Sequence, residues 1–208
     1  MPNLHDEMYS DPSLIRQGEM QASELGAKLL QMGLISDGRP SSGAPYSNSK
    51  QPIELVVCSP LTRCLQTASL IFPNFSPMCC HGGVREAYGV HYPDRRSKLS
   101  LLKAKFPHFS YYHPSLSTDD DVDWQPHIRE TQHDVMRRID NFLSWLMQQS
   151  QESICVVSHG VWIECALLNY CPHVLEFGRK RVYNCEVYEA HLTYDGDQLA
   201  LKNVEQIA

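Results

Sequence analysis

The sequence has no run of about 18 apolar residues that would span a bilayer, and no start built as a basic segment, an apolar core and a small-residue cleavage site. Membrane insertion and secretion are not expected, and a reducing, cytoplasmic setting is. Positive charge is in short supply too: 18 Lys and Arg against 24 Asp and Glu give a net charge of −6. Nucleic acids and anionic membranes are held by net or clustered positive surface, so neither is an expected partner. Any phosphate affinity must come from a local pocket. Cysteine is not scarce, at 8, yet no two stand in a CxxC pair, which argues against a zinc site. Several lie in apolar segments, where Cys behaves as a small hydrophobe. Asp119-Asp120-Asp121 lacks the spacing and glycine of an EF-hand and reads as a solvated acidic loop anchored by Trp124. No metal and no cofactor is expected, and no solenoid-type repeat is present.

The 208 residues, 42% of them apolar, suit one globular domain, 1–208, with a sizeable core. The chain is organised around IELVVCSPLTRCLQTASLIF, residues 53–72. Ile53, Leu55, Val56 and Val57 form a short apolar, β-branched run suited to a strand buried on both faces of a parallel sheet. Ser59 is a good N-cap and Pro60 tolerates a first turn, so a helix is expected from there, with Leu61, Cys64, Leu65, Ala68 and Ile71 inward. Arg63 then lies off that stripe, near the carboxyl end of the strand, where open α/β sheets bind ligands. A guanidinium beside a helix N-terminus can clamp phosphate; on spacing alone it reads equally as a solvated first-turn residue.

Residues 153–168, SICVVSHGVWIECALL, repeat the design: an apolar strand, then Ser158-His159-Gly160, then a helix. A histidine at a strand's carboxyl end, next to a glycine that admits a ligand to the backbone, is a reasonable site residue. Alone it would be an ordinary loop histidine. Two strand-to-helix switches, one offering Arg63 and one His159, make a shared anion site the better reading.

These motifs resemble the histidine phosphatase superfamily, the phosphoglycerate mutase-like proteins. SPLTRCLQTA at 59–68 is similar to the family's second arginine motif, SHG at 158–160 to its late histidine motif, and VREAYGVHYPDRRS at 84–97 to its acid-bearing segment. DPSLIRQGEMQASELG at 11–26 resembles the entry to its first helix, with Ile15 in place of a Thr. With KAKFPHFSYY and DDDVDW, the resemblance is greatest to the plant and fungal phosphoglycerate mutase-like phosphatases. It implies a three-layer α-β-α sandwich around a mostly parallel sheet. One departure stands out: the family's nucleophile is a histidine in an Arg-His-Gly tripeptide, and no such tripeptide occurs here. Asn3 falls where the family has an asparagine seven residues after that arginine, which puts the tripeptide upstream of Met1. A truncated amino terminus, without the first central strand, is the expectation. His5 precedes no glycine and is not its substitute.

The resemblance implies hydrolysis of a small phosphomonoester. An imidazole attacks phosphorus in line, Arg63 and His159 hold the phosphoryl oxygens together with Asn3, and Glu86 protonates the departing alcohol. Water then releases the phosphohistidine. Mutase activity would need a closed site that retains a bisphosphate, which no feature demands. The alternative is a catalytically inactive relative that binds phosphorylated ligands. The expected partner is a small phosphorylated metabolite; oligomeric state is not legible.

Elsewhere, Ala22, Leu25, Gly26 and Leu29 mark an amphipathic helix ending near Gly33. Residues 35–52 read as a long loop. Residues 98–126 hold a short helix and, by resemblance, a substrate-selecting lid; Phe109, Tyr111, Tyr112 and Trp124 either line its wall or are ordinary core. Val135, Ile139, Phe142, Leu143 and Leu146 predict a helix over the sheet. The tail reads as two strands joined at Asp195-Gly196-Asp197; either Asn184 or Glu186 faces the site, or the hairpin closes the sheet with no functional role.

Overall fold

Strand β1, Leu55–Cys58, is buried at every position, as its unbroken apolar run requires. In the computed structural model, which describes residues 3–35, 51–111, 116–172 and 181–208, it lies inside a four-stranded sheet. The others are β2, Met78–Cys80, β3, Ser110–Tyr111, and β4, Ile154–Val157, in the order β3-β2-β1-β4. All three pairings are parallel, with Val56 opposite Met78 and Leu55 opposite Ile154. Side chains alternate across β1. Val56 and Cys58 face a core shared with Ala22, Leu25, Leu65, Ala68 and Leu102. Leu55 and Val57 face a second, with Val135, Ile139, Phe142 and Trp162.

Those two cores define the outer layers. On the first face lie α1, Arg16–Gln31, α2, Thr62–Ile71, and α3, Leu99–Lys105; on the second, α4, Gln132–Leu146, and α5, Gly160–Tyr170. The result is the expected three-layer α-β-α arrangement. Helix α1 buries Ala22, Leu25, Gly26 and Leu29, the periodic stripe of the sequence. At Gly26 a Cβ would sit 2.9 Å from the Ile71 carbonyl, so glycine is what lets α1 and α2 approach. Helix α4 opens with a capping box in which Thr131 and Asp134 satisfy each other's backbone N–H groups.

Three expectations are corrected. Helix α2 begins at Thr62 rather than Pro60, and Leu61, not Ser59, occupies the N-cap position. The capping acceptor comes from far along the chain: Asp11 Oδ1 accepts from Thr62 N at 2.7 Å and Oδ2 from the Thr62 hydroxyl at 2.7 Å. The tail forms β5, Tyr188–Asp195, and β6, Gln198–Gln206, as an antiparallel hairpin around the expected turn, but it is its own two-stranded sheet. It joins the body through Leu192 and Leu199 on the second core instead of extending the parallel sheet. The acidic loop is only partly solvated, because the Asp121 side chain is turned inward and 2% exposed. The expected loop at 35–52 and Tyr112 fall largely or wholly outside the described residues.

Candidate functional site

Because β1 and β4 are parallel neighbours, the segments leaving their carboxyl ends meet. His159 leaves β4 in extended conformation as the N-cap of α5 and is only 7% exposed. Its Nε2 lies 2.8 Å from Ser59 Oγ and 3.4 Å from Cys64 Sγ, both contributed by the β1–α2 junction. Glu86 reaches the same helix start from the other side: Oε2 accepts from Val161 N at 3.4 Å and Oε1 from Ala87 N at 2.9 Å. The first N–H groups of α5 have no partner within the helix, and with the positive end of its dipole they favour an anion. A Cβ at Gly160 would meet nothing within 4 Å, so there is open space at this helix start.

Arg63 stands beside Cys64 in the first turn of α2, but its guanidinium is already held. Nη1 donates to the Pro93 carbonyl at 2.7 Å and Nη2 to Asp94 Oδ1 at 3.0 Å. Asp94 in turn receives Arg129 Nη1 on its other oxygen, at 3.2 Å. A guanidinium has five N–H donors, so three remain beyond these two contacts. His159 and Glu86 thus share one helix start, and Arg63 enters through the Tyr92–Asp94 turn and its neighbour Cys64. Asn3 is exposed and its Oδ1 accepts from His5 N at 3.1 Å. It touches none of the three, although its loop docks on the Arg63-binding turn through Tyr92 N to Leu4 O at 2.9 Å. Glu186 accepts locally, from Tyr183 N at 3.0 Å and the Tyr188 hydroxyl at 2.9 Å. Phe109 belongs to the first core, Tyr111 packs against it, and Trp124 is buried with Nε1 donating to the His91 carbonyl at 3.0 Å.

One buried and one partly buried ion pair hold the Glu86 segment in place. Arg85, 1% exposed, makes a bidentate pair with Asp121 at 2.8 and 2.5 Å. Burial pushes the Asp121 carboxyl up, but the Arg85 charge beside it and the hydrogen bonds it receives bring it below the ordinary aspartate range. Arg138 donates to Glu130 through Nε at 2.8 Å and Nη2 at 2.7 Å, and its Nη1 reaches the Gly83 and Arg85 carbonyls at 2.8 and 3.1 Å. Arg138 therefore faces inward from α4 onto the Glu86 loop.

Cys64 was legible only as part of an apolar stripe. It is the one cysteine of the chain whose thiol is drawn down, well below its ordinary value. A hydrogen bond from the Cys58 thiol is the largest cause; burial opposes it, and His159 and Arg63 add to it. Burial raises Cys58, Cys79, Cys80, Cys155, Cys165, Cys171 and Cys185. No spacing in the sequence distinguishes Cys64 from these. Ser59, Arg129 and Arg138 were missed because their partners are distant in sequence.

The parallel sheet thus brings a histidine, a carboxylate and an arginine to the carboxyl ends of neighbouring strands. Residues 7–205 match the histidine phosphatase superfamily, branch 1, and the chain belongs to that superfamily. Phosphoglycerate mutase-like protein 2 of Arabidopsis thaliana is 34% identical over 103 residues, 48% of this chain and 29% of that protein. A second Arabidopsis thaliana phosphoglycerate mutase-like protein is 26% identical over 168 residues, 65% of this chain and 61% of that one. The chain therefore spans less than two thirds of the length of either relative. A solved structure from Escherichia coli, described as an alpha-ribazole-5'-P phosphatase, superposes with a TM-score of 0.50 at 19% identity over 91% of this chain and 82% of that one. That likeness concerns the fold. Among the described residues no helix is long and apolar enough to cross a membrane.

Proposed function

We propose that this chain binds the phosphoryl group of a small phosphorylated metabolite, and that its site is the binding half of a phosphomonoesterase. The observation that carries the reading is the Glu86 carboxylate and the His159 imidazole at one helix start, with Arg63 one residue from Cys64, which contacts that imidazole. His159 and the free N–H groups of Arg63 would take the phosphoryl oxygens, each as a charge-assisted donor. Glu86 would protonate the leaving oxygen and afterwards draw a proton from water. The covalent step belongs to an imidazole in an Arg-His-Gly tripeptide, and these 208 residues contain none. That favours binding without turnover by the chain as it stands, and hydrolysis through a phosphohistidine by a chain that includes the tripeptide. Residues 98–126 would select the substrate, and the setting would be cytoplasmic.

Thermal denaturation with and without inorganic phosphate tests this. A ligand at 100 times its Kd stabilises by about 2.7 kcal/mol. The expected result is a concentration-dependent rise in Tm for the 208-residue chain, none in Arg63→Ala or His159→Gln, and no release of p-nitrophenol from p-nitrophenyl phosphate. Equal stabilisation of all three proteins would overturn the site assignment.

A further inference from the structure

A long cationic side chain in the first turn of a helix does not orient itself, and Arg63 is held by a turn that is itself anchored. The Tyr92 ring packs on Trp124 with centroids 4.7 Å apart, and Trp124 Nε1 donates to the carbonyl of His91, the residue before the turn. The turn then offers the Pro93 carbonyl to Arg63 Nη1 and Asp94 Oδ1 to Nη2. Gripping both terminal nitrogens fixes the plane of the guanidinium as well as its place. Among the described residues its Nε–H has no hydrogen-bond partner. The Asp94 side chain is 10% exposed, and its other oxygen accepts from Arg129, which also donates to the Gly89 carbonyl at 3.0 Å. A carboxylate can accept from two guanidinium groups, one on each oxygen; an amide has one acceptor oxygen and must turn its NH2 toward the other. One carboxylate between two guanidinium groups also leaves the trio net positive, so the anchor does not cancel the attraction for an anion.

We propose that Asp94 is a positioning residue for Arg63: it holds the guanidinium in the orientation that receives phosphoryl oxygens, and Arg129 braces it through the second carboxylate oxygen. The proposal rests on the phosphate reading above. Asp94 acts through Arg63 and does not touch the ligand. Because Arg63 is ordered before an anion arrives, its rotamer freedom is lost on folding and not on binding, which favours affinity. In Asp94→Asn the amide oxygen can serve Arg63 or Arg129 but not both, so one guanidinium faces an N–H donor and the brace fails. Asp94→Glu restores two acceptor oxygens.

The test has two arms, both on the 208-residue chain. The first needs no ligand: NMR relaxation of the Arg63 Nε–H is expected to show an ordered guanidinium in the wild type, a mobile one in Asp94→Asn, and partial recovery in Asp94→Glu. Equal order in the wild type and Asp94→Asn overturns the proposal. The second arm is titration with inorganic phosphate, followed at the His159 ring. Asp94→Asn is expected to weaken binding roughly tenfold when Arg63 is present, the size of one charge-assisted hydrogen bond, and by less than about twofold in an Arg63→Ala background. A merely structural role would weaken both backgrounds alike, and that result overturns the proposal. Should Asp94→Asn not fold, Arg129→Ala carries both arms, because its side chain is 29% exposed. A smaller loss of order and affinity is expected there, again only with Arg63 present; equal loss in both backgrounds, or none in either, overturns the proposal. A wild type that does not bind phosphate would sink the phosphate reading, while the order of the Arg63 guanidinium would still decide whether Asp94 positions it.

Discussion

The buried pair Arg85–Asp121 gives a sharp test of how the Glu86 segment is held. In Asp121→Asn the side chain keeps its shape but loses the charge that faces a guanidinium 1% exposed, with Asp121 itself 2% exposed. Removing one partner of a buried pair costs about 3–5 kcal/mol; here Arg85 would keep only Asp123, half-exposed and 3.8 Å away. Whole-domain stability is typically about 5–15 kcal/mol, so this is a large fraction of it. At roughly 2–4 °C per kcal/mol for a chain of this size, the expected fall in Tm is roughly 6–20 °C. Asp120→Asn is the internal control: its contact with Lys98 at 3.6 Å is exposed on both sides, and such pairs are worth about 0–1 kcal/mol. Urea denaturation of both variants measures the difference. A loss below about 1 kcal/mol for Asp121→Asn, indistinguishable from an exposed pair, would refute the reasoning. The pH dependence follows the same pair. The Asp121 carboxyl is lower when folded than its unfolded value near 3.9, so its contribution is complete above about pH 4 and is lost as pH falls through the folded value.

Other perturbations follow from single features. Gly89→Ala places a Cβ 1.8 Å from the Ile128 carbonyl at φ +86, so denaturation should show a loss of roughly 1–3 kcal/mol or more, or no folded protein. Thr131→Ala removes one half of the α4 capping box and should cost about 0.5–2 kcal/mol in urea denaturation. Arg138→Lys keeps the charge but cannot reproduce a fork that reaches Glu130 and the Gly83 and Arg85 carbonyls; a loss of about 1–3 kcal/mol is expected, accompanied by weaker phosphate binding.

Legibility in the sequence followed the range of each interaction. The strand-to-helix units at 53–72 and 153–168 and the buried stripe of α1 were readable because apolar period and turn residues are local signals. The three-layer arrangement follows from β1, whose alternate side chains feed two cores. The cap on α2 was not readable, since Asp11 lies 51 residues from Thr62. Ser59, the nearest good cap by residue type, turns instead toward His159. Asp121 looked like a solvent-facing charge because composition cannot show that it has a buried partner. The tail hairpin was legible as a hairpin, yet its docking on the second core depends on Leu192 and Leu199, which read as ordinary strand residues. Cys64 was invisible among apolar cysteines.

The most direct measurement is NMR of the histidine rings during titration with inorganic phosphate. If His159, Arg63 and Glu86 surround one phosphoryl pocket, the His159 ring signals move saturably in the wild type. Loss of charge-assisted contacts worth about 1.5–3 kcal/mol weakens that titration roughly 10- to 150-fold in Arg63→Ala. A His159 ring that ignores phosphate, or one that responds identically with and without the Arg63 guanidinium, would contradict the shared pocket.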